Sequence, residues 1–303
     1  MKKILAFLLV LAILPAASAG SCAEEAAGTE DGLEEILWDI GDDTEEEGSE
    51  GIIEFADPDD PDLPDWPLET YGLMDNGYFP EIVEKRINGK DNRTTIKSAN
   101  KYPYCAMAII QAYFPCKCKG AEGTAFMVRK NKALTAAHCL ICTKHNKWAK
   151  KIVLYFGYRK GRGWVYRYTG SWKAYSGTTF PDGYQGKDAD DWAVIKLNQN
   201  VGKRTGWLGM WAMSDSQIEK YNFYTAGYRK LRLKRGKGKA HVVDSKRMYF
   251  KMDTQKGNSG GPIYRKYKGG YYAVGIITTE WPDLAVNSGV RITNKILKKV
   301  KKY

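Results

Sequence analysis

The sequence predicts an all-β fold, a barrel or a sandwich, from three observations. Segments that mix β-branched and aromatic residues with polar ones recur along the chain, as in "KALTAAHC" (132–139) and "DWAVIKLN" (191–198). "YYAVGIITT" (271–279) is a nearly continuous apolar run that suits a buried strand. Gly-, Tyr- and Lys-rich loops such as "YSGTTFPDGYQGKD" (175–188) separate these segments. Many short strands between turns are the mark of a barrel or sandwich. The one stretch that reads as helical is "ITNKILKKVKKY" (292–303), which sets Ile292, Ile296, Leu297 and Val300 on one face and lysines elsewhere.

The chain opens with Lys2 and Lys3, an apolar run from Ile4 to Leu14, and the small residues Ala17-Ser18-Ala19. Such a run is too short for a bilayer, which needs about 20 residues. It reads as a secretory signal peptide, residues 1–19, and the protein is expected to be secreted. A second cut, before Cys22, would leave a lipid-anchored cysteine. It fits less well, because alanine opens that box where a large apolar residue is usual.

The net charge of +12 conceals a division. Residues 20–86 carry 23 Asp and Glu against two basic residues, Lys85 and Arg86, a net −21. Residues 87–303 carry 43 Lys and Arg against 12 Asp and Glu, a net +31. The acidic stretch includes "DPDDPDLPDWP" (57–67), whose composition predicts linker or disorder rather than core. The basic part is long enough for one sizeable domain or two small lobes.

Cys22, Cys105, Cys116, Cys118, Cys139 and Cys142 are the six cysteines. In an exported protein disulfides are the default expectation, with at least one of the five cysteines of the basic part left over. Zinc is the competing reading. Cys116-x-Cys118 and Cys139-x-x-Cys142 have ligand-like spacing, and His138 and His145 stand beside the second pair. An oxidising compartment disfavours a thiolate cage, so no metal is assigned at this stage.

"KGNSGGPIY" (256–264) places Ser259 between an asparagine and two glycines. Alone, the run describes a tight turn with no chemistry. A nucleophilic serine needs a histidine to take its proton and a carboxylate to orient that imidazole. Of the three histidines, His138 ends the strand-like "ALTAAHC", while His145 and His241 lie among lysines. Among Asp188, Asp190 and Asp191, the last stands at the mouth of an apolar strand. Singly, these are a packed histidine, a capping aspartate and a turn serine. In the order His, Asp, Ser, each with its strand context, they predict a catalytic set. The N–H groups of Gly257 and Ser259 would form the oxyanion hole.

"LTAAHC", "DWAVIKL" and "GNSGGP" resemble the three catalytic segments of the chymotrypsin-like (trypsin-fold) serine proteases. "INGKDNRTTIKSANKYPYCAMAII" (87–110) and "NSGVRIT" (287–293) are similar to segments of the bacterial glutamyl endopeptidase and V8-like branch. The resemblance implies two antiparallel six-stranded β-barrels with a C-terminal helix, preceded by a largely disordered acidic pro-segment (residues 20–86). The protease domain would be residues 87–303. His138 would be general base, Asp191 its orienter and Ser259 the nucleophile, with no metal or organic cofactor required. Lys85-Arg86-Ile87 places a dibasic site before an aliphatic N-terminus, so a zymogen cut beside Arg86 is expected.

Specificity stays open at this level. Asp253 lies six residues before Ser259, where trypsin-like enzymes carry the acid that binds Lys or Arg. Glu-cleaving relatives instead use a threonine and a histidine. Thr254 matches the threonine, but the histidine's place holds Ile277, with Thr278 next. A buried substrate carboxylate without that imidazole is costly. Expected partners are protein or peptide substrates, and nothing calls for an obligate oligomer, so a monomer is expected. The basic stretches 228–247 and 298–303 add anionic polymers or surfaces as a second partner class. They also support a rival function, a polyanion-binding or antimicrobial protein on a protease fold with incidental hydrolysis.

Overall fold

The computed structural model describes residues 52–53, 91–116, 118, 120–142, 144–157, 166–175, 190–229, 231–281 and 286–303. The signal-like segment, nearly all of the acidic leader with Cys22, the site beside Arg86 and Asp188 lie outside these residues.

Twelve strands close into two antiparallel barrels. The first uses β1 (Met107–Tyr113), β2 (Ala121–Arg129), β3 (Lys132–Thr135), β4 (Lys151–Phe156), β5 (Tyr166–Ala174) and β6 (Ala193–Leu197). Its closed order is β6-β3-β2-β1-β4-β5. The second uses β7 (Asn222–Arg229), β8 (Arg232–Val242), β9 (Arg247–Phe250), β10 (Pro262–Tyr267), β11 (Gly270–Trp281) and β12 (Val286–Arg291). Pairing runs β11-β10-β7-β8-β9-β12, and β12 returns to β11 to complete the ring. Closure leaves neither barrel a bare edge among these twelve strands.

Each barrel has its own apolar centre. Ala108, Ile110, Met127, Ile152, Leu154, Phe156 and Ile195 pack in the first, and Phe223, Met248, Phe250, Ile263 and Ile277 in the second. A third cluster joins Met107, Phe126 and Val194 of the first barrel to Tyr228, Tyr264 and Ile276 of the second. Opposite faces of β1 therefore feed different clusters: Ala108 and Ile110 go to the first barrel's centre, Met107 and Ile109 to the junction. That is why the segment reads as continuously apolar rather than alternating.

The C-terminal helix α1 (Asn294–Lys302) buries Ile296, Leu297 and Val300 against the junction. Thr293 caps it by accepting the Ile296 N–H at 3.4 Å. At the other end Lys132 donates to the carbonyls of Val300 (2.7 Å) and Lys301 (3.0 Å), a cation on unpaired helix acceptors.

Two short helices correct the reading of α1 as the sole helical segment: Gly202–Thr205 and Asp215–Lys220. Helices of four and six residues are too short to show apolar periodicity. The second is held locally by a capping box between Ser214 and Gln217. In the leader, Ile52 and Ile53 pair antiparallel with Trp211 and Met210, adding a short strand beside the second barrel.

Candidate active site

His138 sits in a 3-10 turn (Ala137–Leu140) directly after β3. Its Nδ1 lies 2.6 Å from Asp191 Oδ2, and its backbone N–H donates to Asp191 Oδ1 at 2.9 Å. One carboxylate thus grips both the ring and the main chain, fixing the imidazole's rotation and leaving Nε2 on the far side. Asp191 is 2% exposed. The packing of its neighbour holds it in place. Trp192 stacks on Tyr175 at 4.1 Å, and Lys299 of α1 lies 4.3 Å over the Tyr175 ring.

Burial by itself lowers the His138 pKa, since it penalises the imidazolium. The Asp191 charge and its hydrogen bond, with a smaller contribution from Cys139, act the other way, and the net shift is upward.

Ser259 occupies the turn between β9 and β10. The turn's own hydrogen bonds use the N–H groups of Asn258 (to Gln255 O, 2.8 Å), Gly260 (to Ile277 O, 2.7 Å) and Gly261 (to Asn258 O, 3.0 Å). Gly257 and Gly260 have φ of 93° and 80°. At 260 glycine is required twice over, because a Cβ would stand 2.2 Å from both Thr124 O and Thr135 Oγ1.

The first barrel holds this turn from the other side. Thr124 N–H donates to Ser259 O at 2.8 Å, and Thr124 Oγ1 donates to Gly257 O at 2.7 Å. The Cys139 thiol also points to Ser259 O, at 3.6 Å, so the His138 turn and the Ser259 turn meet. Ser259 and His138 are each 9% exposed, shielded yet reachable.

The predicted specificity residues separate. Asp253 is 1% exposed and accepts the Asn92 N–H at 3.1 Å. Thr254 Oγ1 donates to Asn287 Oδ1 at 2.7 Å, and Asn287 Nδ2 donates to Met252 O at 2.9 Å. Thr278 Oγ1 donates to Ser288 O at 3.4 Å. Ile277 packs in the second barrel's apolar centre, while its backbone pairs with Gly260 and Gly261.

Three residues at the site escaped the sequence reading: Thr124, Arg93 and Asn258. Arg93 clasps Asp91 through Nε (2.8 Å) and Nη2 (2.9 Å) and donates from Nη1 to Asn258 Oδ1 at 2.8 Å. Lys234 adds a second cation to Asp91 at 2.7 Å. The Arg93 hydrogen bond, opposed by burial and helped by Lys234, holds the Asp91 carboxyl well below the usual range. The G-x-D-x-R-T spacing at 89–94 was the available signal, but it carries no hint of its partner 165 residues away.

The cysteines correct the disulfide expectation. Among the described residues no disulfide is present, and Cys105, Cys116, Cys118, Cys139 and Cys142 are all free thiols. Cys105 points to Thr205 O at 3.1 Å, and Cys139 is taken by Ser259 O. The other three converge on His145, with their ligand atoms and the imidazole nitrogen within 4.8 Å of one another. Of the residues in the competing zinc reading, Cys116, Cys118, Cys142 and His145 come together, while Cys139 and His138 turn to Ser259 O and Asp191.

Comparison with known proteins agrees with this architecture. An extracellular metalloprotease of Bacillus subtilis (strain 168) is 28% identical over 223 residues, covering 71% of this chain and 68% of the relative. A glutamyl endopeptidase of Bacillus licheniformis is 22% identical over 187 residues, 60% of this chain and 55% of that protein. Among solved structures, a Glu endopeptidase superposes with a TM-score of 0.58 at 21% identity, covering 71% of this chain and 97% of its own. The protease Anisep from Arthrobacter nicotinovorans gives 0.51 at 15% identity, with 72% and 96% covered. The trypsin family model matches residues 98–292, more than half of the chain. With two closed six-stranded barrels meeting at His138, Asp191 and Ser259, the chain belongs to the trypsin family and has the fold of a chymotrypsin-like serine protease.

Proposed function

We propose that the protein is a secreted serine endopeptidase made as a zymogen, with Ser259 as nucleophile, His138 as general base and Asp191 as orienter. The observation that carries this reading is the double grip of Asp191 on His138, set against a Ser259 turn hung from the opposite barrel. Ser259 Oγ attacks the scissile carbonyl while His138 takes its proton. The N–H groups of Gly257 and Ser259 receive the developing oxyanion. His138 then protonates the leaving amine, and water hydrolyses the acyl-enzyme by the same steps in reverse.

Activation would follow a cut beside Arg86. Asn92 and Arg93, a few residues beyond that point, hydrogen-bond Asp253 and Asn258 in the loop that carries Ser259. These bonds are made in the uncut chain, so the cut would release the acidic leader from a segment that already lies on the active-site loop. Asp253, engaged by Asn92 and almost fully buried, fits an anchor for that segment better than a floor for a substrate cation. The rival polyanion-binding reading loses ground on β8, because Lys234, Arg235 and Lys239 are engaged by Asp91, Tyr104 and the Glu219 and Lys220 carbonyls.

The test uses protein trimmed after Arg86, its uncut precursor, and Ser259→Ala, against fluorogenic peptides varied only at P1. Trimmed protein should hydrolyse at least one peptide and take up a sulfonyl fluoride on Ser259. Ser259→Ala should lose about 10⁶-fold in kcat. Cleavage after Glu would support the anchor role of Asp253, and cleavage after Lys or Arg would assign Asp253 to the pocket instead. A precursor as fast as the trimmed form would refute the zymogen, and a silent, unlabelled trimmed protein would refute the enzyme.

A further inference from the structure

We propose that Cys116, Cys118, Cys142 and His145 form a structural zinc site that fastens the turn between β1 and β2 to the hairpin following the catalytic histidine. Four ligand atoms, three Sγ and one imidazole nitrogen, lie within 4.8 Å of one another. His145 Nδ1 is 3.1 Å from Cys118 Sγ and 3.6 Å from Cys142 Sγ. Zinc with bonds of about 2.3 Å to sulfur and about 2.0–2.1 Å to nitrogen has a tetrahedral S–N edge of about 3.6 Å. The cluster therefore has nearly the dimensions of a coordination sphere around one ion.

The donor chemistry selects the metal. Three thiolates and one imidazole are a soft, closed, four-ligand set, which suits zinc rather than calcium or magnesium. On binding, each thiol gives its proton to solvent and its sulfur lone pair to the ion. With a neutral imidazole the filled site carries a net charge of −1, and the exposed Lys144 and Lys147 of the same hairpin offset it. A single disulfide would use two of the sulfurs and leave a thiol and an imidazole pressed beside it. One ion uses all four.

The local fold fits a clasp. Cys142 ends a short strand (Ile141–Cys142) paired with Lys147–Trp148, and the turn between them passes through Asn146 at φ 50°. His145 N–H donates to Cys142 O at 3.2 Å. Ala149 N–H reaches Leu140 O, and Lys150 N–H reaches Tyr113 O, both at 2.8 Å, tying the hairpin to the His138 turn and to β1. With four protein ligands there is no open position for substrate or water, so the ion's role is structural. Neither His138 nor Asp191 belongs to the set.

The full-length chain carrying Ser259→Ala, which is spared self-cleavage, is purified with zinc in the medium. Elemental analysis should find one zinc per chain, lost in Cys118→Ser and His145→Ala. Replacement by Co²⁺ alone should give thiolate-to-cobalt charge transfer and the intense d–d absorption of a tetrahedral site, neither needing activity as a readout. Chelation should lower the unfolding midpoint of the parent protein and leave that of Cys118→Ser unmoved. Absence of bound metal with no cobalt uptake would overturn the proposal. So would a mass two hydrogens short that maps to a disulfide among Cys116, Cys118 and Cys142, or zinc fully retained by both variants. Should either ligand variant fail to fold, the cobalt spectrum of the parent protein decides alone.

Discussion

Thr124 of β2 donates its backbone N–H to the carbonyl of Ser259 at 2.8 Å, so the proposed nucleophile is suspended from the barrel that carries His138 and Asp191. The same threonine gives its hydroxyl to Gly257 O (2.7 Å) and accepts the Tyr228 N–H (2.9 Å). It also offers its carbonyl to Thr135 Oγ1 at 2.8 Å. One fully buried residue thereby ties the Ser259 turn to the barrel of His138, beside the weaker Cys139 thiol contact and the non-directional apolar contacts of the junction.

Thr124→Val keeps the shape and the backbone bond but leaves the Tyr228 N–H and the Gly257 carbonyl without this partner. A buried group so stranded costs about 1–3 kcal/mol. We expect a matching fall in unfolding free energy and a lower kcat with KM little changed, because substrate binding survives while the Ser259 turn drifts. Urea unfolding and steady-state kinetics on the P1 panel check both. A variant with parental kcat would mean that the Thr124 backbone bond and the apolar junction set the geometry without the hydroxyl.

The pH dependence follows from His138. Its pKa is raised, by the Asp191 charge acting against burial, above the ordinary histidine value of about 6.5. In the proposed mechanism His138 acts as the neutral imidazole, so acid should switch the enzyme off and the acid limb of kcat/KM should lie above about 6.5. Asp191→Asn removes the largest of the effects that oppose burial and leaves only the smaller Cys139 contribution: the limb should move down and kcat should fall about 10⁴-fold. The stability linkage has the opposite sense. A raised folded pKa contributes stability that is complete below the unfolded value and is lost as pH rises through the folded one. Unfolding midpoints of wild type and Asp191→Asn should therefore converge as the pH increases. An acid limb unmoved by the substitution would show that another group controls it.

Much of this site was legible in the sequence because each piece is local. A histidine after "LTAA", an aspartate opening "DWAVIKL" and a glycine-flanked serine keep their meaning within a few residues, and the turn glycines declare their backbone angles. The apolar face of α1 was readable for the same reason, being set by spacing alone. Thr124, Arg93 and Asn258 were not legible, since their roles exist only across the barrel junction. The cysteines misled because compartment was argued in place of geometry. Spacing grouped Cys139 with Cys142, whereas the chain turns Cys139 to Ser259 and delivers Cys142 to the β1–β2 turn. Ile277 shows the same limit, because a position in a motif does not reveal which face of its strand meets the core.

Arg93 supplies the last prediction. Its guanidinium holds Asp91 with two prongs and reaches Asn258, whose amide also accepts the Gln255 N–H (2.8 Å) and donates to Tyr228 O (3.1 Å). Arg93→Ala removes a charged hydrogen bond, worth about 1.5–3 kcal/mol, from the residue that precedes Ser259. If that loss falls mainly on the transition state, kcat/KM drops about 10- to 150-fold. Arg93→Lys should rescue little, because an ammonium cannot span Asp91 and Asn258 as a planar fork does. The decisive comparison sets trimmed protein against uncut precursor. If the docked segment activates the enzyme only once the leader is released, Arg93→Ala should slow the trimmed form toward the precursor's rate and leave the precursor itself unchanged. Equal slowing of both forms would separate Arg93 from activation and leave it a role in holding the loop alone.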